Sequence, residues 1–184
     1  MLFFCIVFFN LVMLLMVNFM FYYLNMFLLG SFIGFVWENG LKLIFPSVNS
    51  GLLHGPWVPV YGIGICIIIF IERFVFNRIK VKRLFKIIIM LFLVMFIVTG
   101  LEWCSGIFIE KIFNKTLWDY SKYKFNIGKY IALEISLLWG GLTLLFVYVI
   151  KPILEKIVNK IPKYITILVL VLMFIDFFIT CFQV

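Results

Sequence analysis

The sequence has few charged residues, and this scarcity excludes most classes of soluble protein. Only 13% of the 184 residues are charged, whereas 66% are hydrophobic and 20% are aromatic. Soluble domains carry about 25% charged and roughly 45–50% apolar residues. A chain of this composition cannot bury its apolar surface in a core of its own, so we predict that it lies in a membrane.

The signatures of metal, redox and nucleotide chemistry are also missing from the sequence. His54 is the only histidine, and the four cysteines are scattered through apolar runs rather than paired at metal-binding or redox spacings. The phosphate-binding motif Gly-x-x-x-x-Gly-Lys-Ser/Thr does not occur, so this chain does not bind and hydrolyse ATP through such a loop. We therefore assign no metal and no cofactor, and an enzyme function is not favoured.

The net charge of +8 would favour a nucleic-acid partner in a soluble protein. Here the Lys and Arg residues lie in short segments beside apolar runs, a pattern that indicates orientation in a membrane. We expect membrane lipids as partners and no nucleic acid.

Several apolar runs approach the length of about 20 residues that spans a bilayer as a helix. Because the runs are continuous, they favour helices over the two-residue alternation of a membrane barrel. We predict an all-α fold, a polytopic transmembrane helical bundle with five or six spans, in a single integral membrane domain over residues 1–184. The four clearest spans are Val58–Phe76, Leu84–Ser105, Ile131–Ile150 and Ile165–Phe182.

The first apolar stretch, Leu2 to Phe45, is too long for one span across a ~30 Å core at 1.5 Å per residue. We expect this stretch to break, to bend or to lie along the interface. The favoured division is a span from about Asn18 to Asn39. Residues 1–17 would then form an extra amino-terminal span or an interfacial helix, and residues 18–184 the core of the domain.

The basic residues predict the orientation of the bundle. Ten Lys and Arg residues lie in or beside the hinge Asn77–Arg83 and the loop Lys151–Lys163, whereas six lie on the opposite side. Because basic loops favour the cytoplasm, we predict that the hinge is cytoplasmic in a bacterial cytoplasmic membrane. The loops Pro46–Pro59 and Gly106–Lys129 then face outward.

Four acidic residues lie within or at the edges of the predicted spans. An ionised group at mid-membrane costs about 2.5–3.5 kcal/mol on insertion scales, so each acid needs a physical reason. Because they come from four helices and point to the same half of the membrane, they favour a shared substrate or ion site. Pairing with lysine or an aromatic hydroxyl, or hydration at the headgroups, is the alternative. These candidates are Glu38, Glu102, Glu134 and Asp176.

The loop before the second span concentrates glycine, proline and aromatic residues where a helix begins. Its sequence from Gly51 to Gly64 is GLLHGPWVPVYGIG. Glycine permits close backbone approach, proline fixes φ, and a helix amino terminus offers free N–H groups to an anion. The alternatives are a helix-entry turn without a ligand and a structural histidine. The candidates from this loop are His54, Gly55, Pro56 and Tyr61.

The loop after the third span carries two further short motifs, WDYS at residues 118–121 and FNIG at residues 125–128. Aromatic residues at this level are typical interfacial anchors and need no special function. Asp119 and Asn126 are the candidate site residues here. Asp119 either joins the acidic site or caps a turn of the loop.

Together these motifs resemble the bacterial ABC transporter type IV, CmpB-like permease family. The resemblance runs from about Ser31 to Asp176 and includes the GLLHGPWVPVYGIG segment, Glu102, WDYS, FNIG and the pair Trp139-Gly140. It implies a small helical membrane protein that acts as a permease, and it supplies no catalytic residues.

Three functions are weighed on this basis. The first is a transport subunit whose outer-half acids and Gly/Pro turn form a substrate or coupling-ion site, working with a separate ATPase subunit or as a homo-oligomer. The second is a membrane-embedded enzyme or modifying factor that acts on lipid or cell-envelope intermediates, with a carboxylate as base and His54 as its partner. The third is a non-catalytic membrane scaffold.

Overall fold

The computed structural model describes residues 2–44, 51–76, 78 and 80–183, and most of them are helical. The predicted all-α class is confirmed, with one short antiparallel pair of strands beside the helices. A π-helical turn, Glu72–Phe76, continues α2, and a second, Phe146–Ile150, joins α4 to α5. The elements are α1 (Leu2–Ile44), α2 (Pro59–Ile71), α3 (Arg83–Phe113), β1 (Asn126–Ile127), β2 (Ile131–Ala132), α4 (Leu133–Leu145), α5 (Lys151–Val158) and α6 (Lys163–Phe182).

Four helices within the described ranges are long and apolar enough to cross a membrane, which fits a membrane-embedded protein. The predicted number of five or six spans is not confirmed. The remaining predicted span, Val58–Phe76, is helical, but α2 has only 13 residues before its π-helical turn. The four helices are Phe9–Leu43, Arg83–Phe113, Leu133–Val158 and Lys163–Phe182.

The first helix is one continuous element through the amino-terminal stretch. α1 runs without interruption from Leu2 to Ile44, so no boundary separates residues 2–17 from the segment Asn18–Asn39. This stretch contains no proline, and without proline few sequences force a helix to stop. At 1.5 Å per residue α1 is about 65 Å long, more than twice the ~30 Å core of a bilayer.

Two predicted loops begin as helix. α3 continues past Ser105 to Phe113, and the helix that contains α4 and α5 continues past Ile150 to Val158. The charged residues in both extensions are good helix formers and do not end a helix by themselves. α3 ends at Asn114, which takes a left-handed φ of 48° and donates its backbone N–H to the Glu110 carbonyl.

Glycine lets α1 and α2 approach closely. A Cβ atom at Gly62 would lie 2.4 Å from the carbonyl oxygen of Phe27, and one at Gly34 would lie 2.4 Å from the Tyr61 ring. At the start of α2 the backbone N–H of Val58 donates to the carbonyl of Ser31 over 2.9 Å. Small residues allow such packing where lipid supplies no hydrophobic force between helices.

A buried polar junction holds the end of α5 and the start of α6 against α1. The Asn25 amide donates to the Val158 carbonyl over 3.0 Å and accepts from the Thr166 hydroxyl over 2.6 Å. Asn25 and Thr166 are both buried. Apolar residues of α1, α2, α3 and the α4–α5 helix fill the core around this junction, among them Met26, Ile69, Val94 and Phe146.

We predict that Gly62→Ala lowers the stability of the protein, because the added methyl group meets backbone that cannot rotate away. Overpacking of this kind costs roughly 1–3 kcal/mol. Gly64→Ala is the matched control, since Gly64 is buried in the same helix but has open space beside it. Thermal unfolding of the purified protein in detergent measures both variants. Equal midpoints for Gly62→Ala and Gly64→Ala would contradict the close contact.

Candidate functional site

Glu102 lies buried on α3 and is held by two aromatic donors. It is 8% exposed. The Tyr120 hydroxyl donates to its Oε1 over 2.6 Å, and the Trp139 indole N–H donates to its Oε2 over 3.2 Å. Tyr120 comes from the loop after α3 and Trp139 from α4, so a single carboxylate joins three parts of the chain.

A second carboxylate lies close by on α1. Glu38 accepts the backbone N–H of Gly51 over 2.8 Å, and the Tyr61 side chain lies close enough to interact with it electrostatically. The Tyr61 ring meets the Trp139 ring edge to face, with 5.8 Å between the centroids. Tyr61 and Trp139 therefore connect the two carboxylates. We call Glu38, Tyr61, Glu102, Tyr120 and Trp139 the carboxylate network.

Tyr120 belongs to this network although it lies in a loop. Burial raises the pKa of the Tyr120 hydroxyl above its usual value, and the neighbouring Glu102 carboxylate raises it further. The hydroxyl therefore stays protonated and serves as a permanent donor to Glu102.

Asp176 on α6 binds the Gly/Pro segment between α1 and α2. Its Oδ1 accepts from the backbone N–H of His54 over 3.2 Å and from the imidazole Nδ1 over 3.0 Å. Its Oδ2 accepts from the backbone N–H of Gly55 over 2.9 Å and from the Trp57 indole over 2.8 Å. We call these four residues the Asp176 clasp.

The clasp fixes the tautomer of His54. The Thr180 hydroxyl donates its proton to the Asp176 backbone carbonyl over 2.8 Å, so its oxygen acts as an acceptor towards His54 Nδ1, 3.2 Å away. With acceptors on both sides, Nδ1 carries the proton of the neutral ring. The basic nitrogen is then Nε2, on a side chain that is 56% exposed.

The loop after α3 is held by contacts of its own. Asp119 accepts the hydroxyl and the backbone N–H of Ser121, which lower the pKa of the Asp119 carboxyl. The Asn126 amide donates to the Gly128 carbonyl over 2.9 Å. Lys129 donates to Glu110 over 2.6 Å, and this bond raises the pKa of the lysine. Asp119 and Asn126 thus stabilise local turns.

Glu134, at the start of α4, makes a weaker contact. Its Oε1 accepts the backbone N–H of Phe125 over 3.3 Å, and its Oε2 is buried without a hydrogen-bond partner. Among the described residues, no hydrogen bond joins Glu134 to the carboxylate network or to the clasp.

The structure thus divides the predicted site residues into two groups and several separate positions. Glu38, Tyr61 and Glu102 meet in the network, and His54, Gly55 and Asp176 meet in the clasp. Pro56 lies exposed next to the clasp. Whether any of these residues contacts a substrate stays a prediction.

Sequence reasoning missed three donors and one acceptor that complete these two groups. The donors are Tyr120, Trp139 and Trp57, and the acceptor is the Thr180 hydroxyl oxygen, 3.2 Å from His54 Nδ1. The available signal was chemical: each buried carboxylate needs donors, and indole and phenol groups are the donors that apolar segments offer.

The side chains of the described part form no group of three or more His, Cys, Asp or Glu that could hold a metal ion. Cys66, Cys104 and Cys181 are free thiols. The Cys66 thiol donates to the Tyr23 carbonyl over 3.4 Å and so belongs to the α1–α2 contact.

Comparison with known proteins identifies a family model that covers most of the chain. A family model described as "Putative ABC-transporter type IV" matches residues 25–182, most of the chain. The match confirms the resemblance that the sequence motifs indicated. No curated protein and no solved structure gave a match. The match begins at Asn25, so the mostly exposed segment of α1 from Phe9 to Met20 precedes it.

We predict that Asp176→Asn releases the Gly/Pro segment from α6. An amide replaces one of the two acceptor oxygens with an NH₂ group, and each oxygen accepts from two donors, so two of the four donors lose their partner. Each hydrogen bond to a charged group contributes roughly 1.5–3 kcal/mol. Hydrogen exchange of the backbone amides of His54 and Gly55 should accelerate by tenfold or more.

Asp119→Asn is the control for this experiment, because Asp119 bonds only within its own turn. It should leave exchange at His54 and Gly55 unchanged. Unchanged protection in Asp176→Asn would show that the clasp does not hold the segment.

Proposed function

Because the chain belongs to the ABC-transporter type IV family, we propose that it is a permease-like subunit of a transport system in the bacterial cytoplasmic membrane. One observation carries this proposal: two carboxylates from different apolar helices, Glu38 and Glu102, meet at Tyr61 and Trp139. Carboxylates in such helices are expensive and typically mark substrate or ion pathways. The network is the polar site of the transport subunit.

Five membrane crossings fit this function. α2 with its π-helical turn is about 27 Å long at 1.5 Å per residue, close to the ~30 Å core, and it packs along α1. The crossings are then α1, α2 with its turn, α3, the helix of α4 and α5, and α6. Five crossings place the network and the clasp on one side of the membrane and the basic hinge on the other.

A separate ATPase subunit supplies the energy in this proposal. The exposed cations at residues 78, 80, 82 and 83 follow the turn after α2 and face the cytoplasm by the positive-inside rule. A cytoplasmic ATPase can reach the side of the membrane that carries these cations, while the polar site opens to the opposite side. A chain of this size forms a path across the membrane as a homo-oligomer.

The orientation is tested with single cysteines at Ser121 and at Lys80, both exposed, in a chain whose four native cysteines are replaced. A membrane-impermeant maleimide should label Ser121→Cys on intact cells, and Lys80→Cys only after the membrane is opened. The reverse pattern would place the network on the cytoplasmic side. Labelling of both from one side would contradict a crossing by α3.

The Asp176 clasp favours a second function, a membrane-embedded enzyme that acts on lipid or cell-envelope intermediates. Asp176 fixes the His54 tautomer and leaves Nε2 free to accept a proton, the arrangement by which a carboxylate orients a general base. The nucleophile would be a hydroxyl of the substrate or water.

One comparison separates the two functions. A strain lacking the protein is complemented with the wild type, with the double variant Glu38→Gln and Glu102→Gln, with His54→Ala, or with the control Asp119→Asn. Mass spectrometry compares solutes in cells and medium, and in parallel the envelope lipids. A transport subunit predicts an altered solute distribution that the wild type and the control restore and the double variant does not. If the deletion strain has altered envelope lipids, and every protein except His54→Ala restores them, the enzyme function is supported and the transport function is not.

A further inference from the structure

The first helix passes a charged boundary near its middle. The Tyr22 hydroxyl donates to Glu155 over 3.0 Å, and Lys163 Nζ lies 5.3 Å from the centroid of the Phe21 ring. Lys163 is the first residue of α6 and Glu155 belongs to α5, so charged helix ends meet α1 at this level. Charged residues at the ends of membrane helices mark the boundary between hydrocarbon and water. Phe21 and Tyr22 therefore lie at the boundary of the bundle on the side of the basic hinge.

α1 completes one membrane crossing without the residues before this boundary. From Tyr22 to Ile44 it is about 34 Å long at 1.5 Å per residue, enough for the ~30 Å hydrocarbon core. Residues 2–20 add about 28 Å on the far side of the boundary. The family match also begins after the boundary, at Asn25. Residues 2–20 are thus an apolar extension that the bundle does not need in order to cross the membrane.

This extension is apolar on every side of the helix. Leu14, Leu15 and Met16 are consecutive and so point in three directions around the helix axis, and each is more than half exposed. No charged residue precedes Glu38 in the sequence. A helix that is hydrophobic all round is either enclosed by protein or placed in a membrane. Further exposed apolar side chains are those of Phe9, Leu11, Met13, Phe19 and Met20.

No side-chain contact holds the extension in its direction. In the part of the chain that the structure describes, no hydrogen bond, ion pair or ring contact joins residues 9–18 to another element. The first such contact is that of Phe19 with Phe74, whose ring centroids are 6.3 Å apart. The direction of the extension relative to the bundle therefore depends only on the continuity of the helix between Asn18 and Phe21.

Lipid covers such a surface better than a protein partner does. A helix that packs against a partner on one face keeps a polar stripe towards water, and the extension has no such stripe. To enter the bilayer, α1 must change direction at the boundary and lose the backbone hydrogen bonds of about one turn. The burial of one leucine contributes at least as much as one hydrogen bond, and hydrocarbon accepts every apolar side chain of the extension. Asn18 carries an amide of the kind that bonds backbone groups in turns.

We propose that residues 2–20 lie in the hydrocarbon of the bilayer beside the bundle, as a membrane crossing of their own. α1 changes direction between Asn18 and Phe21, at the charged boundary, and the acyl chains of membrane lipids are the partner of the apolar surface. The other crossings keep their orientation. This placement requires a membrane location but does not depend on the transport function.

Spin labels on single cysteines test the proposal, in the full chain in lipid vesicles with the four native cysteines replaced. Collisions of the label with oxygen report hydrocarbon, and collisions with a water-soluble nickel chelate report water. Phe96→Cys, 78% exposed in the middle of α3, is the reference for lipid, and Lys80→Cys in the hinge is the reference for water. Leu11→Cys should match Phe96→Cys in both rates. Its nickel collision rate should be about tenfold below that of Lys80→Cys, because hydrocarbon excludes polar solutes.

A crossing also predicts a gradient of depth. Leu11 lies at the middle of the extension and Asn18 near the boundary, so the ratio of oxygen to nickel collisions should fall from Leu11→Cys through Leu14→Cys to Asn18→Cys. Unfolding midpoints near that of the cysteine-free chain show that these variants fold. Equal ratios at the three positions would contradict a crossing.

Two further outcomes would overturn the proposal. Nickel collisions at Leu11→Cys as frequent as at Lys80→Cys would place the extension in water. Low rates with both reagents would show that protein covers it, either a second copy of this chain or another subunit.

Discussion

The carboxylate of Asp176 supplies acceptors for three N–H groups and an imidazole of the segment between α1 and α2. Backbone donors near a membrane need partners within the protein, because lipid offers none. A segment with two prolines and two glycines between positions 51 and 59 cannot satisfy its own backbone through a helix. The acid on the last helix takes the place of helical hydrogen bonds and sets where α2 begins.

The carboxylate network depends on that placement. Gly51, at the start of the same segment, donates to Glu38, and Tyr61, in the first turn of α2, interacts with Glu38 electrostatically. A shift of the segment would move both residues together. Glu102 has its own donors, Tyr120 and Trp139, but it meets Glu38 only through the rings of Tyr61 and Trp139. The last helix therefore helps to position the carboxylate network, although it contributes no side chain to it.

The sequence predicted the helical class and most of the acids of the site, because hydropathy and charge are local properties of the chain. It did not predict their partners: Asp176 and His54 are separated by 122 residues, and Glu102 and Trp139 by 37. No periodicity encodes such distances. The turn at Asp119, whose partner is two residues away, was foreseen as an alternative for that reason. The length of α1 was not predicted, because the thickness of the bilayer limits how much of a helix lies within it and does not limit where the helix ends.

The α1–α2 contact links the two ends of the bundle. Gly34 and Gly62 bring α1 and α2 together, and the same approach places Tyr61 near Glu38 at one end and forms an apolar groove between Phe19 and Phe70 at the other. Packed helices transmit small displacements because they cannot compress. Any ligand that separates α1 from α2 near Phe19 changes the distance between Glu38 and Tyr61 unless α1 bends in between.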